Sequence, residues 1–333
     1  MSTTQVVAAM NAATQAKSGL VVTTDESNII LSGHYTSHSS SSYEASFFYS
    51  PSVFTKFVRD HVTHTFGLHT TTLAKGAVAE HAEEFVLLDV GGGTGNFTQM
   101  LLKEDPGDEH GSGKVLNKRG IVLEPFLEKS DVIDAPMLEF IRMGAEVLKE
   151  DVGDSIELSW RRRYNACLMK EVVHHFDAKD RVGIFRGICD DLKRNKSASA
   201  YNKMTVAPDL LIITRPQRDI DYPFYSWEQV REVWAENQPA VEDIEDDLVR
   251  AGFGNVRHTM VPFECSCSIN QWVGMVKGRL WSTFSHFSDD ELEEACQLIL
   301  REFLNAKEGR KDTATDDDIV TFEERLLFVS GCS

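Results

Sequence analysis

Apolar positions follow two rhythms along the chain. Between residues 85 and 214, short apolar runs alternate with longer amphipathic stretches. FVLLDV at 85–90 reads as a first strand and 96–103 as the helix that follows. GIVLE at 120–124 predicts a second strand, 146–148 a short third, 166–169 a fourth and LLIIT at 210–214 a fifth. Runs that are apolar on both faces, separated by helices, imply a parallel sheet covered on both sides. The stretch 105–118, DPGDEHGSGKVLNK, is rich in glycine and charge and predicts a surface loop between helix and second strand. Beyond residue 214 the rhythm turns helical, with helices predicted over 227–234, 241–251, 270–280 and 289–304. Ser288 with Glu291 three residues on forms a capping box for the last of these. RLLFVS at 325–330 closes the pattern as a strand. Upstream, Val53, Phe54, Phe57, Val62 and Phe66 mark a helix over 52–66, while residues 1–28 are small, polar and unpatterned and read as mobile.

The first candidate chemistry sits in Asp89-Val90-Gly91-Gly92-Gly93-Thr94-Gly95, between the first strand and a helix opened by Asn96. Glycines let a backbone turn sharply and approach a ligand without an intervening Cβ. In a dinucleotide fold such a turn faces a pyrophosphate. Here a carboxylate, Asp89, precedes the glycines and would repel a phosphate. It suits an ammonium or sulfonium instead, and the spacing GxGxG is not the GxGxxG of nicotinamide sites. Glu124 ends the second strand, where an acid holds ribose hydroxyls in such folds. Asp151 follows the short third strand and is placed to accept from an adenine amine, with Glu150 and Asp154 as neighbouring alternatives.

The chain resembles the class I S-adenosylmethionine-dependent methyltransferases that act on small molecules. The matching segments are DVGGGTG, VLEP, KED at 149–151 and YNACLMKEVVHHF at 164–176, together spanning about residues 85–216. The resemblance implies an α/β, Rossmann-like, doubly wound and mostly parallel seven-stranded sheet with helices on both faces. An N-terminal helical arm and a C-terminal helical cap would complete it. It implies S-adenosylmethionine as cofactor, leaving as S-adenosylhomocysteine, with Asp89 contacting the methionine amino group and Asp151 the adenine. Gly91, Gly93, Gly95, Asn96, Glu124, Val152 and Lys170 complete the cofactor set. Asn165 stands where the family often has Asp, a departure at the entry to the fourth strand. The implied organisation is an arm over 1–70, a cofactor-binding core over 71–216 and a cap with closing strands over 217–333.

Further candidates lie on the acceptor side. Lys170, Glu171, His174 and His175 follow the fourth strand, at the edge where loops line the ligand crevice. A histidine titrates near neutrality and can take the proton released on methylation, so His174 and His175 are the candidate catalytic pair. Adjacent residues are expected to send one ring to each side of the backbone, with one ring in the crevice. Arg215, after the fifth strand, can hold a substrate carboxylate bidentately. Its competing role is an ion pair with a loop acid. Tyr35, Tyr43, Phe47 and Tyr49 form a candidate aromatic lid, and Trp272 and His286 candidate walls of the acceptor pocket; each has ordinary packing as its alternative.

Composition narrows the partners. A formal net charge of −18 over 333 residues, with no basic run longer than 161–163, disfavours nucleic acid and tilts the field toward neutral or cationic small substrates. Six scattered cysteines (Cys167, Cys189, Cys265, Cys267, Cys296, Cys332) form no CxxC pair and read as reduced thiols, with no metal site implied. No apolar run approaches the ~18 residues needed to span a bilayer, and no secretory signal is evident. A cytoplasmic enzyme is the expectation, compatible with a homodimer. Residues 1–24 share only low acidity and hydroxyl content with transit peptides and lack arginine. The alternatives are a non-catalytic S-adenosylmethionine-binding regulator and a nicotinamide-dependent oxidoreductase.

Overall fold

The computed structural model describes residues 51–68, 84–103, 117–126, 135–151, 153, 155–198, 208–306, 314–315 and 318–333. Tyr35, Tyr43, Phe47, Tyr49, Val152 and Asp154 lie outside the described residues, as do residues 1–28 and most of the 105–118 loop.

Seven strands among the described residues form one sheet in the order β3-β2-β1-β4-β5-β7-β6. β1 (Glu84–Val90), β2 (Asn117–Leu123), β3 (Leu138–Ile141), β4 (Ala166–Lys170) and β5 (Leu210–Thr214) pair in parallel. β6 (Gly254–Ser268) and β7 (Ile319–Cys332) are antiparallel, β7 lying between β5 and β6. The chain winds outward from β1 to β3, then returns to place β4 on the other side of β1. In open α/β sheets ligands bind at a reversal of this kind, which here falls at the carboxyl ends of β1 and β4. The fold is the Rossmann-like, doubly wound sheet that the resemblance implied.

The period-2 alternation along each central strand sends side chains into two cores. Val86, Leu88 and Val90 of β1 pack with Ile184, Phe185 and Leu192 of one helix (Ala178–Ala198) and with Ile244 and Leu248 of another (Val241–Ala251). Phe85 and Leu87 face the opposite way, onto Val58 and Val62 of the helix Pro51–Thr65, Phe66 just after it, and Leu101 and Leu102 of the helix Asn96–Leu102. In chain order these helices are α1 (Pro51–Thr65), α2 (Asn96–Leu102) and α3 (Ala178–Ala198), followed by α4 (Glu228–Asn237), α5 (Val241–Ala251), α6 (Ile269–Lys277) and α7 (Asp289–Ala306). Each fully buried Leu or Phe contributes about 2 kcal/mol, so burial on both faces is the main term holding the parallel strands.

A third core is separate from the other two. β5 pairs with β7 only from Leu327 onward. The earlier half of β7 pairs with β6 alone, Leu326 with Val261 through Ile319 with Ser268. This two-stranded ribbon therefore runs past the carboxyl end of β5. A lone ribbon is only marginally stable. Phe322, Cys265 and Cys267 on it pack against Tyr222, Phe224, Trp227, Trp234, Trp272, Trp281 and Phe284. The capping box is formed: Ser288 N–H donates to Glu291 Oε2 at 2.7 Å, and Glu291 N–H points back to Ser288 Oγ at 3.4 Å.

Four features differ from the sequence pattern. Residues 146–148 are not the third strand but part of a 3₁₀ turn, Ala145–Lys149. The Arg161 guanidinium claims the carbonyls of Val147 (3.0 Å), Leu148 (3.0 Å) and Glu150 (2.7 Å) while its Nε donates to Asp191 at 2.7 Å, so no sheet partner remains for this segment. The third strand is Leu138–Ile141, which pairs with β2 at the sheet edge and is only half-buried. β6 carries no clean alternation and contains Pro262, which an edge strand tolerates because one row of its N–H groups faces outward. β7 is much longer than 325–330, and Asn117 and Lys118, assigned to the loop, belong to β2.

Candidate active site at the carboxyl edge of the sheet

The chain leaves β1 through Gly91 (φ +71°), Gly93 (φ +54°) and Gly95 (φ +80°). Two of these have no room for a side chain. A Cβ on Gly91 would stand 2.5 Å from Val172 Cγ2, and one on Gly95 2.9 Å from Phe140 Cζ. The turn is thus wedged between β4's exit and β3. Gly91 N–H donates to Leu123 O at 2.8 Å, tying it to β2 as well.

Asp89 lies under this turn on the α2 side of the sheet, almost wholly buried. Its Oδ2 accepts from the Thr98 hydroxyl of α2. Its Oδ1 is buried and has no hydrogen-bond partner among the described residues. Burial pushes the Asp89 carboxyl up to about 6, against the Thr98 bond and the Lys170 charge, and Glu124 adds to the rise. Glu124 accepts from Gly93 N–H at 3.2 Å and from Phe126 N–H at 3.1 Å, joining the end of β2 to the glycine turn. Burial raises its carboxyl too, partly offset by those two N–H groups. Lys170 ends β4, with its Nζ 5.3 Å from the centroid of the Phe97 ring. Asn96 is exposed, and its N–H points to Thr94 Oγ1 at 3.4 Å. Asp151 is exposed and accepts from Gly153 N–H at 3.1 Å.

The second half of the edge is a buried ionic cluster. Arg215 follows β5 and is 3% exposed. Its Nε donates to Glu324 Oε1 at 2.7 Å, and its second arm to Glu171 Oε2. Tyr222 OH donates to the same Glu324 oxygen at 2.7 Å. Of the two roles open to this guanidinium, the ion pair is the one formed, with carboxylates from β7 and the β4 exit. Glu171 adopts φ +57°, the left-handed region that costs a non-glycine residue about 1–3 kcal/mol. Its N–H donates to Ile213 O at 2.8 Å, which fixes that geometry.

The histidines do not flank the backbone as expected. Val173–His175 is a 3₁₀ turn rather than extended chain, and the two rings stand side by side with centroids 3.9 Å apart. Burial, reinforced by the Arg215 charge, lowers His174 to about 3, so this ring is neutral at physiological pH. Its Nδ1 is buried without a partner among the described residues. Trp272 is fully buried in the third core, 5.0 Å from Phe322 and 5.3 Å from Trp281 between ring centroids. His286 is exposed, with Nε2 3.3 Å from Asn237 Nδ2.

Glu324, Tyr222, Thr98 and Thr214 were not singled out from the sequence. Glu324 had a signal: it shares the buried register of β7 with Val320, Phe322 and Leu326, so an acid stands in an apolar row. Tyr222 and Thr98 carry no comparable mark.

No family model matches the chain, and no curated protein matches it. Solved structures similar to it include a cyclopropane synthase, MmaA2, from Mycobacterium tuberculosis, at 12% identity over 82% of this chain and 83% of that one, with a TM-score of 0.39. Phosphoethanolamine N-methyltransferase 2 of Haemonchus contortus in complex with S-adenosyl-L-methionine is 12% identical, over 76% of this chain and 49% of that one, with a TM-score of 0.37. A mycolic acid cyclopropane synthase, CmaA1, complexed with S-adenosylhomocysteine, is 11% identical over 74% and 79%, with a TM-score of 0.37. Likeness at this level adds nothing to the fold assignment, which rests on the strand order and register above. Among the described residues, no helix is long and apolar enough to cross a membrane.

Proposed function

We propose that the protein transfers a methyl group from S-adenosylmethionine to a small-molecule acceptor. The observation that carries this reading is the unpartnered Oδ1 of Asp89, a buried carboxylate oxygen beneath a glycine turn. A carboxylate there disfavours phosphate and favours an ammonium, which would supply the missing donor and the missing positive charge together. The other donor-side residues fit the same ligand. Each Glu124 oxygen uses one lone pair on a backbone N–H and keeps another for ribose hydroxyls. Asp151 retains acceptor capacity for an adenine amine. Bound there, S-adenosylmethionine supplies an electrophilic methyl on a sulfonium. The chain's own residues align the acceptor with that methyl for in-line attack and strip water from both. His174 is held neutral and far below neutrality in basicity, so it acts as a hydrogen-bonding partner. We assign the proton released by an O, N or S acceptor to His175.

Equilibrium titration of the full chain with S-adenosylmethionine, S-adenosylhomocysteine and NAD tests the reading. The first two should bind and NAD should not. Binding of NAD alone, or of none of the three, overturns it. Asp89→Asn should abolish the binding while leaving the protein folded. Acceptor atom and chemistry follow from incubation with labelled methyl donor and a small-metabolite extract.

A further inference from the structure

The cluster around Arg215 holds two acids and one guanidinium, and burial pushes the Glu324 carboxyl up against the pull of the Arg215 charge, so that charge alone does not fully compensate it. Glu171 and Glu324 share a single guanidinium, so with both acids ionised the buried group carries one net negative charge. Charge counting is matched by hydrogen bonding. Among the described residues, Glu171 Oε1, Glu324 Oε2, Thr214 Oγ1 and His174 Nδ1 are all buried without a partner. Glu324 is 1% exposed and Thr214 wholly buried, so bulk water does not serve them. An unmet buried acceptor, and still more an uncompensated buried charge, is costly unless something brings donors to it. Tyr222 OH is already spent on Glu324 Oε1. The neighbouring imidazole does not supply the charge, since burial and Arg215 together keep His174 neutral.

We propose that Glu171 and Glu324, brought together by Arg215, form the recognition site for a primary or secondary ammonium group of the acceptor. An R–NH₃⁺ or R₂NH₂⁺ group brings at least two N–H donors, one for each unmet carboxylate oxygen, and one positive charge to match the second ionised acid. The placement accords with such a role. Glu171 stands at the carboxyl end of β4, and Glu324 reaches that edge on the projecting β6–β7 ribbon. The aromatic third core beside it includes Tyr222 itself, and the chain's net charge of −18 draws cations toward the protein. Calling this ligand the methyl acceptor rests on the proposed function; the ammonium site itself does not.

The test uses three small molecules of similar shape and different charge: 2-phenylethylamine, 2-phenylethanol and 3-phenylpropanoate. The unfolding midpoint of the full chain is measured with each at about 10 mM, with and without saturating S-adenosylhomocysteine. The amine should raise the midpoint by about 2–4 °C and the other two should not. Glu324→Gln presents an N–H where the acceptor oxygen was, and should remove the amine shift. Glu171→Gln, at a less buried position, should reduce it and guards against a misfolded first variant. An equal shift from the alcohol or the carboxylate, an amine shift that survives both substitutions, or no shift from any of the three overturns the ammonium site. S-Adenosylhomocysteine is read separately in the same experiment. A midpoint raised by it with no response to the amine sinks this inference alone. An amine response with no response to S-adenosylhomocysteine sinks the methyl-donor reading and leaves the ammonium site standing.

Discussion

The two halves of the carboxyl edge are built from opposite materials. The half proposed to hold the methyl donor is backbone: three glycines at positive φ, held by N–H bonds to Leu123 and Glu124, with a single buried acid beneath them. The half proposed to take the acceptor is side chain: Arg215 pulling together acids from the exit of β4 and from a strand more than a hundred residues later, against a packed aromatic core. The first is local in sequence and is read from seven consecutive letters. The second exists only once β7 has found its place. Their energetics should differ accordingly, with substitutions in the glycine turn changing affinity for the methyl donor and those in the aromatic core of the second half leaving that affinity unchanged.

The largest effect should come from Trp272→Ala. It empties the centre of the third core and should cost about 3–5 kcal/mol in chemical denaturation. Affinity for S-adenosylhomocysteine, measured under folding conditions, should stay within about twofold, because additivity holds for distant sites. A large loss of that affinity would show that the halves are not separable.

Asp89→Asn should have the reverse signature. The Asp89 carboxyl is raised to about 6 in the folded chain from an ordinary value of 3.8. A raised acid stabilises the fold fully below its unfolded value and loses that contribution as pH rises through its folded value. At pH 8 the ionised, half-partnered carboxylate therefore weakens the ligand-free protein. Removing it should stabilise that form by up to about 3 kcal/mol while donor affinity falls at least about a hundredfold. In the wild type, affinity should decline toward tenfold per pH unit below pH 6. A flat profile from pH 7 to pH 4.5 would remove Asp89 from the ammonium-binding role.

Gly91→Ala should be intermediate. The left-handed backbone and the Val172 contact should cost about 1–3 kcal/mol and weaken donor binding in step. Unchanged stability and affinity would mean the turn is not held as tightly as its contacts indicate. The smallest effect belongs to Ser288→Ala. Losing the capping box should cost about 1 kcal/mol, with no change in binding at either half.

Legibility in the sequence divided along the same line. β1, β2, β4 and β5 are short runs buried on both faces, with Asp89 near the end of β1 and the glycines directly after it. Those segments could be placed from local pattern because each residue's neighbours in sequence are also its neighbours in space. β3 was misplaced because Arg161, from a later turn, takes the carbonyls of 147, 148 and 150. β6 was missed because one of its flanks is solvent, which erases the apolar signal. Arg215 was marked as a candidate, but its partner Glu324 lies 109 residues away, a pairing no window of sequence contains. Glu324 itself was available to a stricter reading of β7, where an acid interrupts a buried register.

That long separation also orders events in time. β7 is the last of the seven strands to leave a ribosome, yet it inserts between β5 and β6, both already made. The glycine turn and its sheet neighbours β1, β2 and β4 can assemble while synthesis continues. The Arg215 cluster cannot, because Glu324 arrives with β7. A nascent chain halted before residue 319 would hold an exposed β5 edge and an Arg215 with one of its two acids missing. On the proposed reading, the donor site is established early in synthesis, and the ammonium site only after β7 has emerged.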